Sequence, residues 1–353
     1  MLSIWLEISK GEALMNAKVG LVLSGGGAKG AYQVGVMRYL AEVEMEVHAV
    51  SGASIGALNG AVIAGSSNSR DAYLKLHELW MELAKEPPLK INGIYVGSYL
   101  AYSILMGASR LSPVSVLVLK MLRKQGSKVA GIDDFGLIKE SPIRKLIDKY
   151  TSYETLSKGL PLYVSAYKTE GTFSDIKGTV LGILGLSDTK ESDFFHVQSF
   201  SEDKQQDVIF ASAALPLLFE PQEIESEHYS DGGLGGWKKS QGNTPITPLI
   251  EECGCSHIIV THLTDASAWN RYDFPNTTII EIRPKIPISK ESQVKDLLNF
   301  KASKINELIE QGYEDAKRCI GDVKVAVDLQ AKSQQAISRR DDALAILDDD
   351  FNI

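Results

Sequence analysis

Apolar residues in this chain fall into short runs and helical stripes that take turns along its length. Lys18 to Leu23 (KVGLVL) reads as a strand, and after a cluster of three glycines Ala28 to Val43 carries Val36, Leu40 and Val43 on one helical face. Val47 to Val50 is the next short apolar run, and Ile55 to Gly65, rich in small residues, predicts a helix that lies close to a sheet. Arg70 to Lys85 spaces Tyr73, Leu76, Leu79, Trp80 and Leu83 at helical intervals until Pro87 and Pro88 stop it. Ser141 and Pro142 open a helix to Tyr150, and Leu160 to Lys168 predicts a strand. Asp207 to Ala214 reads as a helix ended by Pro216, Ile224 to Tyr229 as a strand, and Pro248 to Glu252 as a short helix. His257 to His262 and Thr277 to Arg283 are two further strands, followed by a helix over Val294 to Ile320 and a polar helical stretch to Leu347.

Strands and helices thus alternate in one rhythm, with no linker and no internal repeat, which predicts a single doubly wound α/β domain. Two stretches break the rhythm. Residues 91–109 contain no charge, but their glycines, tyrosines and serines make them too weakly apolar for a spanning helix, so they read as a packed insertion. With the apolar run Val114 to Met121 and the basic residues Arg123, Lys124 and Lys128, residues 88–130 form a candidate lid that meets lipid, or else a patch of core packing or subunit contact. Residues 170–206 are loop-rich around an apolar island from Val180 to Leu186, a second lid candidate. The expected organisation is an extension at 1–16, the domain at 17–288 and a helical tail at 289–353 packed on it.

Charge narrows the partners. A net charge of −8 argues against a nucleic-acid polymer and against simple electrostatic adhesion to an anionic bilayer. Cys253, Cys255 and Cys319 are an odd, sparse set without a zinc spacing, which favours a reduced, cytoplasmic compartment and no metal. Met1 to Leu14 lacks a basic segment followed by an apolar core and is not expected to be a signal peptide.

The chemistry concentrates at two glycine-rich places. Gly52, Ser54 and Gly56 form G-x-S-x-G between a strand and a helix, the context of a nucleophile elbow; otherwise the motif is a small-residue turn opening a buried helix. Ahead of it, Gly25, Gly27 and Gly30 match G-x-G-x-x-G. As a dinucleotide loop this would need an acid ending a second strand, yet Glu44 and Glu46 precede the strand into Ser54. As a row of bare amides at a helix start it suits an oxyanion hole instead. In a parallel sheet the two loops, leaving consecutive strands, lie side by side at the carboxyl edge. A carboxylate projects from a third place: Asp231, followed by Gly232 and Gly233, in a turn that also suits a hairpin. Of six histidines, His262 follows a late strand and permits a Ser-His-Asp triad, but none sits in a loop of small residues as Asp231 does.

GGGAKG at Gly25 to Gly30, GASIG at Gly52 to Gly56, ASAALPLLFEP at Ala211 to Pro221 and DGG at Asp231 to Gly233 together resemble, in order and spacing, the four blocks of the patatin-like phospholipases over roughly residues 17–285. The resemblance implies a three-layer α/β sandwich related to the α/β-hydrolases, with a mostly parallel sheet and helices on both faces. It implies a phospholipase A-type acyl hydrolase that needs no cofactor and uses a Ser-Asp dyad, Ser54 and Asp231. The oxyanion hole would come from Gly25, Gly26, Gly27 and Ile55, with Lys29, Gly30, Gly52, Gly56, Gly232 and Gly233 shaping the loops. Lys29 would add positive potential or simply be solvated. Phospholipid at the inner face of the membrane would be the substrate. The whole pattern is similar to bacterial patatin-like effectors switched on by cyclic nucleotides in antiviral defence, which implies a cyclic dinucleotide activator and allows a homo-oligomer, although no block encodes a nucleotide pocket. The segment Leu234 to Gly242 is longer than the family's usual link to its N-x-P turn, so Trp237 and Lys238 are expected near the site. The other readings are a dinucleotide-binding oxidoreductase and a non-catalytic interaction or storage protein of the same fold.

Overall fold

The computed structural model describes residues 18–86, 140–169, 191–213, 221–232, 242–264, 271–288, 296 and 299–321. The N-terminal extension, the lid candidates at 88–130 and Val180 to Leu186, Gly233, Trp237, Lys238 and the stretch beyond 321 lie outside them.

Strands β1 (Val19–Leu23), β2 (Ala49–Gly52), β3 (Leu162–Lys168), β4 (Asp193–His196), β5 (Gln222–Ile224), β6 (Glu227–Asp231), β7 (His257–Thr261) and β8 (Thr278–Ile282) make one 8-stranded sheet. Its order is β5-β6-β3-β2-β1-β7-β8, with β4 also paired to β3. Neighbours run parallel from β3 through β8, while β4, β5 and β6 are antiparallel. Every residue of β1, β2 and β7 is buried, because helices cover both faces of a parallel sheet. That is why these strands read as continuous apolar runs.

The helices are α1 (Ala31–Glu42), entered through a 3-10 turn at Gly27–Gly30, α2 (Ile55–Ala64), α3 (Ser69–Lys85), α4 (Glu140–Tyr150), α5 (Tyr153–Ser157), α6 (Glu202–Ala213), α7 (Thr247–Glu251) and α8, residues 302–321. All of α2 is buried, since its small residues let it lie on the sheet near Val50 and Leu162. The larger apolar cluster gathers α1, α2, α3, α6 and α8 on one face. On the other, Ile246 and Leu249 of the α7 segment cover Val22, Ala49, Ile258, Val260 and Ile279. The expected three layers are present.

Three local expectations need correction. The helix expected from Ala28 begins at Ala31, because the glycine loop first closes as a 3-10 turn. The helix expected over Val294 to Ile320 is interrupted: Asp296 is helical, Asn299, Phe300 and Lys301 are not, and a helix runs through 302–321. The single strand expected over Ile224 to Tyr229 is a hairpin, β5 and β6, whose turn holds Glu225 and Ser226 at φ 50° and 68°. Asp231 therefore ends a strand, and the hairpin turn lies elsewhere.

Candidate active site

Ser54 stands where β2 gives way to α2, at φ 54° and ψ −125°, a left-handed conformation that strains any residue with a side chain. The turn is so tight that a Cβ on Gly52 would lie 2.3 Å from the Gly56 carbonyl oxygen, and one on Gly56 would lie 2.1 Å from that of Leu23. The glycines of the motif are thus dictated by backbone packed on backbone. The serine is only 6% exposed, and its own N–H donates to Ser212 Oγ on α6 at 3.1 Å. That bond ties the third sequence block, ASAALPLLFEP, to the elbow. Removing it would strand a buried amide. Ser212→Ala is therefore expected to destabilise the fold by about 1–3 kcal/mol, read as a fall in the denaturation midpoint, whereas an exposed Ser199→Ala should change little.

Asp231 approaches from the other direction. Along β3, Gly52 of β2 is level with Val164, and Asp231 of β6 is level with Ala166, two residues further on. Since β2 runs with β3 and β6 runs against it, the ends of the two strands converge on one level of the sheet, which the chain of Ser54 also reaches two residues past Gly52. Asp231 is buried at 3% exposure. The adjoining Gly232 presses on β3, where a Cβ would come within 2.2 Å of the Ser165 carbonyl oxygen, and its own carbonyl accepts from Ser192 Oγ at 2.8 Å.

The glycine loop closes the third side. A Cβ on Gly25 would stand 2.9 Å from Ser54 Cβ and 2.6 Å from Asn243 Oδ1. The Gly25 N–H donates to that Asn243 oxygen at 3.1 Å. This corrects the expectation for Gly25, since an amide so committed is closed to an oxyanion. At the start of α2 the Gly56, Ala57 and Leu58 amides are likewise taken, by Ala53 and Ser54 carbonyls. Ile55 is the first residue of the helix, where an amide has no preceding turn to bond and lies at the positive end of the helix dipole. Lys29 is not solvated as a helix-start lysine would be. It is 8% exposed, its Cε lies 3.2 Å from where a Gly26 Cβ would be, and burial pushes its ammonium below the usual lysine range against the pull of Asp296.

Asn243 belongs to a strap across the carboxyl edge of the sheet. Ser165 Oγ donates to Gly242 O and Ser51 Oγ to Pro245 O, each at 2.5 Å, and Ser24 and Thr244 hydroxyls pair at 3.4 Å. One turn thereby ties β1, β2 and β3 together beside Ser54. The histidine alternative fares poorly. His262 follows β7, which β1 separates from β2, and its Nε2 pairs with Glu281 at 3.1 Å. Burial holds its pKa below the usual histidine value, with Glu281 opposing. His48 and His257 sit at the amino ends of strands, where His48 Nδ1 accepts from Val19 N–H. Among the described residues no group of three or more acidic, histidine or cysteine side chains is placed to hold a metal ion.

Sequence comparison places this site among known proteins. The chain is 51% identical over 60 residues to lysophospholipase nte1 of Aspergillus terreus and 52% identical over 64 residues to patatin-like phospholipase domain-containing protein 7 of Mus musculus. These matches span 17% and 18% of the chain but only 4% and 5% of those much longer proteins. Among solved structures, VipD from Legionella pneumophila aligns over 87% of this chain and 67% of its own, at 14% identity and a TM-score of 0.39. The ExoU–SpcU complex of Pseudomonas aeruginosa aligns over 87% of this chain and 52% of that one, at 13% identity and a TM-score of 0.37. The model of the family described as patatin-like phospholipase matches residues 21–249, most of the chain from β1 into α7, and this protein therefore belongs to the patatin-like phospholipases.

Proposed function

We propose that the chain is a lipid acyl hydrolase of the phospholipase A type, with Ser54 as nucleophile and Asp231 as its base. The observation that carries this reading is the strained elbow at Ser54, pressed against a glycine loop and level with the end of the strand that bears Asp231. Asp231 accepts the Ser54 hydroxyl proton as Oγ attacks the ester carbonyl. The Gly26, Gly27 and Ile55 amides hold the oxyanion, which in comparable acyl transfers makes each donor worth about 3 kcal/mol. The intermediate collapses to an acyl-serine as Asp231 returns the proton to the departing lysolipid alkoxide. A water then gives a proton to Asp231 as it attacks the acyl carbon, and when the fatty acid leaves, Asp231 returns that proton to Ser54 Oγ, restoring both residues. No metal or cofactor enters these steps.

The substrate in this reading is membrane phospholipid, met peripherally from the cytoplasmic side; no helix among the described residues is long and apolar enough to cross a membrane. The similarity of the sequence pattern to cyclic-nucleotide-controlled bacterial effectors extends the proposal to activation by a cyclic dinucleotide in antiviral defence. Both parts are tested by incubating the purified protein with phosphatidylcholine and phosphatidylethanolamine vesicles, with and without a panel of cyclic dinucleotides. Free fatty acid and lysophospholipid are then measured by mass spectrometry. Release only in the presence of one cyclic dinucleotide is the expected result. Release without any ligand removes the activator and leaves the hydrolase, while no release from vesicles or from p-nitrophenyl esters under any condition removes both.

A further inference from the structure

Three fully buried polar side chains lie behind the glycine loop, and none of them takes part in the proposed chemistry. Gln33 of α1, Asn59 of α2 and Trp80 of α3 each have 0% exposure. The Trp80 indole N–H donates to Asn59 Oδ1 at 3.0 Å. Asn59 Nδ2 donates to Gln33 Oε1 at 2.8 Å and to the Gly30 carbonyl at 3.1 Å. Gln33 Nε2 completes the series by donating to the Ser24 carbonyl at 2.8 Å.

The polarity of this series is fixed by its first member. An indole nitrogen can only donate, so it must face the oxygen of Asn59. The Asn59 amide nitrogen is thereby turned toward Gly30 and Gln33, and the Gln33 nitrogen toward Ser24. Both side-chain amides have one orientation in which every bond is made, and the donor that enforces it is on a third helix.

The two carbonyls at the end of the series, Ser24 and Gly30, are the two ends of the glycine loop. Asn59, which reaches Gly30, lies one turn along α2 from Ile55, on the same helical face. Gly30 is seated on that face too, since a Cβ there would come 2.6 Å from Ile55 Cγ1 and 2.9 Å from Trp80 Cζ2. The series therefore ties the loop bearing the Gly26 and Gly27 amides to the helix bearing the Ile55 amide. In the hydrolase reading, on which this inference rests, those amides must converge on one oxygen, and a loop of glycines has no side chains of its own to hold it in place.

We propose that Asn59, oriented by Trp80 and relayed through Gln33, is a positioning residue that sets the glycine loop against the start of α2 and so fixes the oxyanion geometry. It touches neither substrate nor nucleophile. Its loss should lower kcat while leaving KM nearly unchanged, because the amides are called on as negative charge develops in the transition state. A displacement of about 1 Å at such a site is enough for a rate loss on the order of 100-fold.

The test compares wild type with Asn59→Leu, which keeps the number and branching of the heavy atoms and deletes all three bonds, and with Trp80→Phe, which keeps an aromatic ring against Phe300 and deletes the orienting donor together with the ring edge that faces Gly30. Steady-state hydrolysis of p-nitrophenyl butyrate and the rate of Ser54 labelling by a fluorophosphonate are measured with and without the panel of cyclic dinucleotides, well below each variant's melting temperature. Asn59→Leu is expected to lose about 100-fold and Trp80→Phe about 10-fold in kcat, with KM within about 2-fold of wild type. The double variant should be no slower than Asn59→Leu, since both changes break one series. If Asn59→Leu does not fold, Trp80→Phe against wild type carries the same comparison. An active, labelled wild type beside folded variants of full kcat overturns the inference alone, as does a loss that appears only in KM. A wild type that neither hydrolyses ester nor takes label, with or without any cyclic dinucleotide, overturns the hydrolase reading and this inference with it.

Discussion

Replacing Ser54 by alanine or Asp231 by asparagine is expected to lower kcat for ester hydrolysis by about 10⁴-fold or more, with the melting temperature nearly unchanged. The separation of the two effects follows from the geometry. Ser54 is strained by its backbone at φ 54°, and alanine meets the same strain, because both residues carry a Cβ. The bond that anchors the turn, from the Ser54 N–H to Ser212 Oγ, uses no atom of the Ser54 side chain. Asparagine has nearly the shape of aspartate, so Asp231→Asn keeps the packing of a buried strand end while removing the group that takes a proton. Covalent labelling by a fluorophosphonate should vanish in Ser54→Ala and become much slower in Asp231→Asn. The double variant should be no worse than the poorer single one, as for any pair that acts as a unit. If Asp231→Asn hydrolysed esters at the wild-type rate, the base would have to be sought elsewhere. His262 is a poor substitute, since its Nε2 already pairs with Glu281.

Much of this arrangement was legible because the residues concerned have strong local signatures. The short apolar runs of β1, β2 and β7 announced a sheet buried on both faces, and glycines around Ser54 announced a turn too tight for side chains. The elements that escaped have no such signature. The β5–β6 hairpin turns through Glu225 and Ser226, both at positive φ, where asparagine and glycine are the usual indicators. The sequence therefore predicts one strand where the structure has two. Gly25 departs from its expected role for a different reason. Its amide is claimed by Asn243, far along the chain, and no spacing rule reports a contact of that kind. Asn59 did leave a trace, as the one polar side chain in IGALNGAVIA, a helix otherwise fit only for burial. A buried polar group requires partners, but the sequence alone does not say that these are an indole and the two ends of a loop.

Helix α8, the last among the described residues, yields the other large effect, on stability. Helices α1 and α8 cross with backbone against backbone, so that a Cβ on Gly312 would lie 1.9 Å from the Tyr32 carbonyl oxygen, and one on Gly35 would lie 1.9 Å from that of Ile309. In an isolated helix, Gly→Ala is stabilising by about 1 kcal/mol. Here that gain opposes an overlap with rigid main chain on a second helix, where overpacking costs about 1–3 kcal/mol and sometimes more. Neither helix can yield alone, because separating them also stretches the buried bond from Tyr32 Oη to Asp315 at 3.1 Å and the Tyr313 Oη bond to Glu42 at 2.7 Å. The exposed Arg38–Glu310 pair adds little to this balance. Gly312→Ala is therefore expected to be destabilising by about 1 kcal/mol net, and Gly312→Val by more. Thermal denaturation should show both midpoints falling in that order, and a raised midpoint in Gly312→Ala would mean that the helices do not touch there. Residues 302–321 lie beyond the stretch that matches the family model, yet the helix they press on is the one that follows the glycine loop. Ester hydrolysis should accordingly fall in Gly312→Val even where the protein is still folded, because widening this crossing moves α1 and, with it, Gly30 and Gln33 away from Asn59.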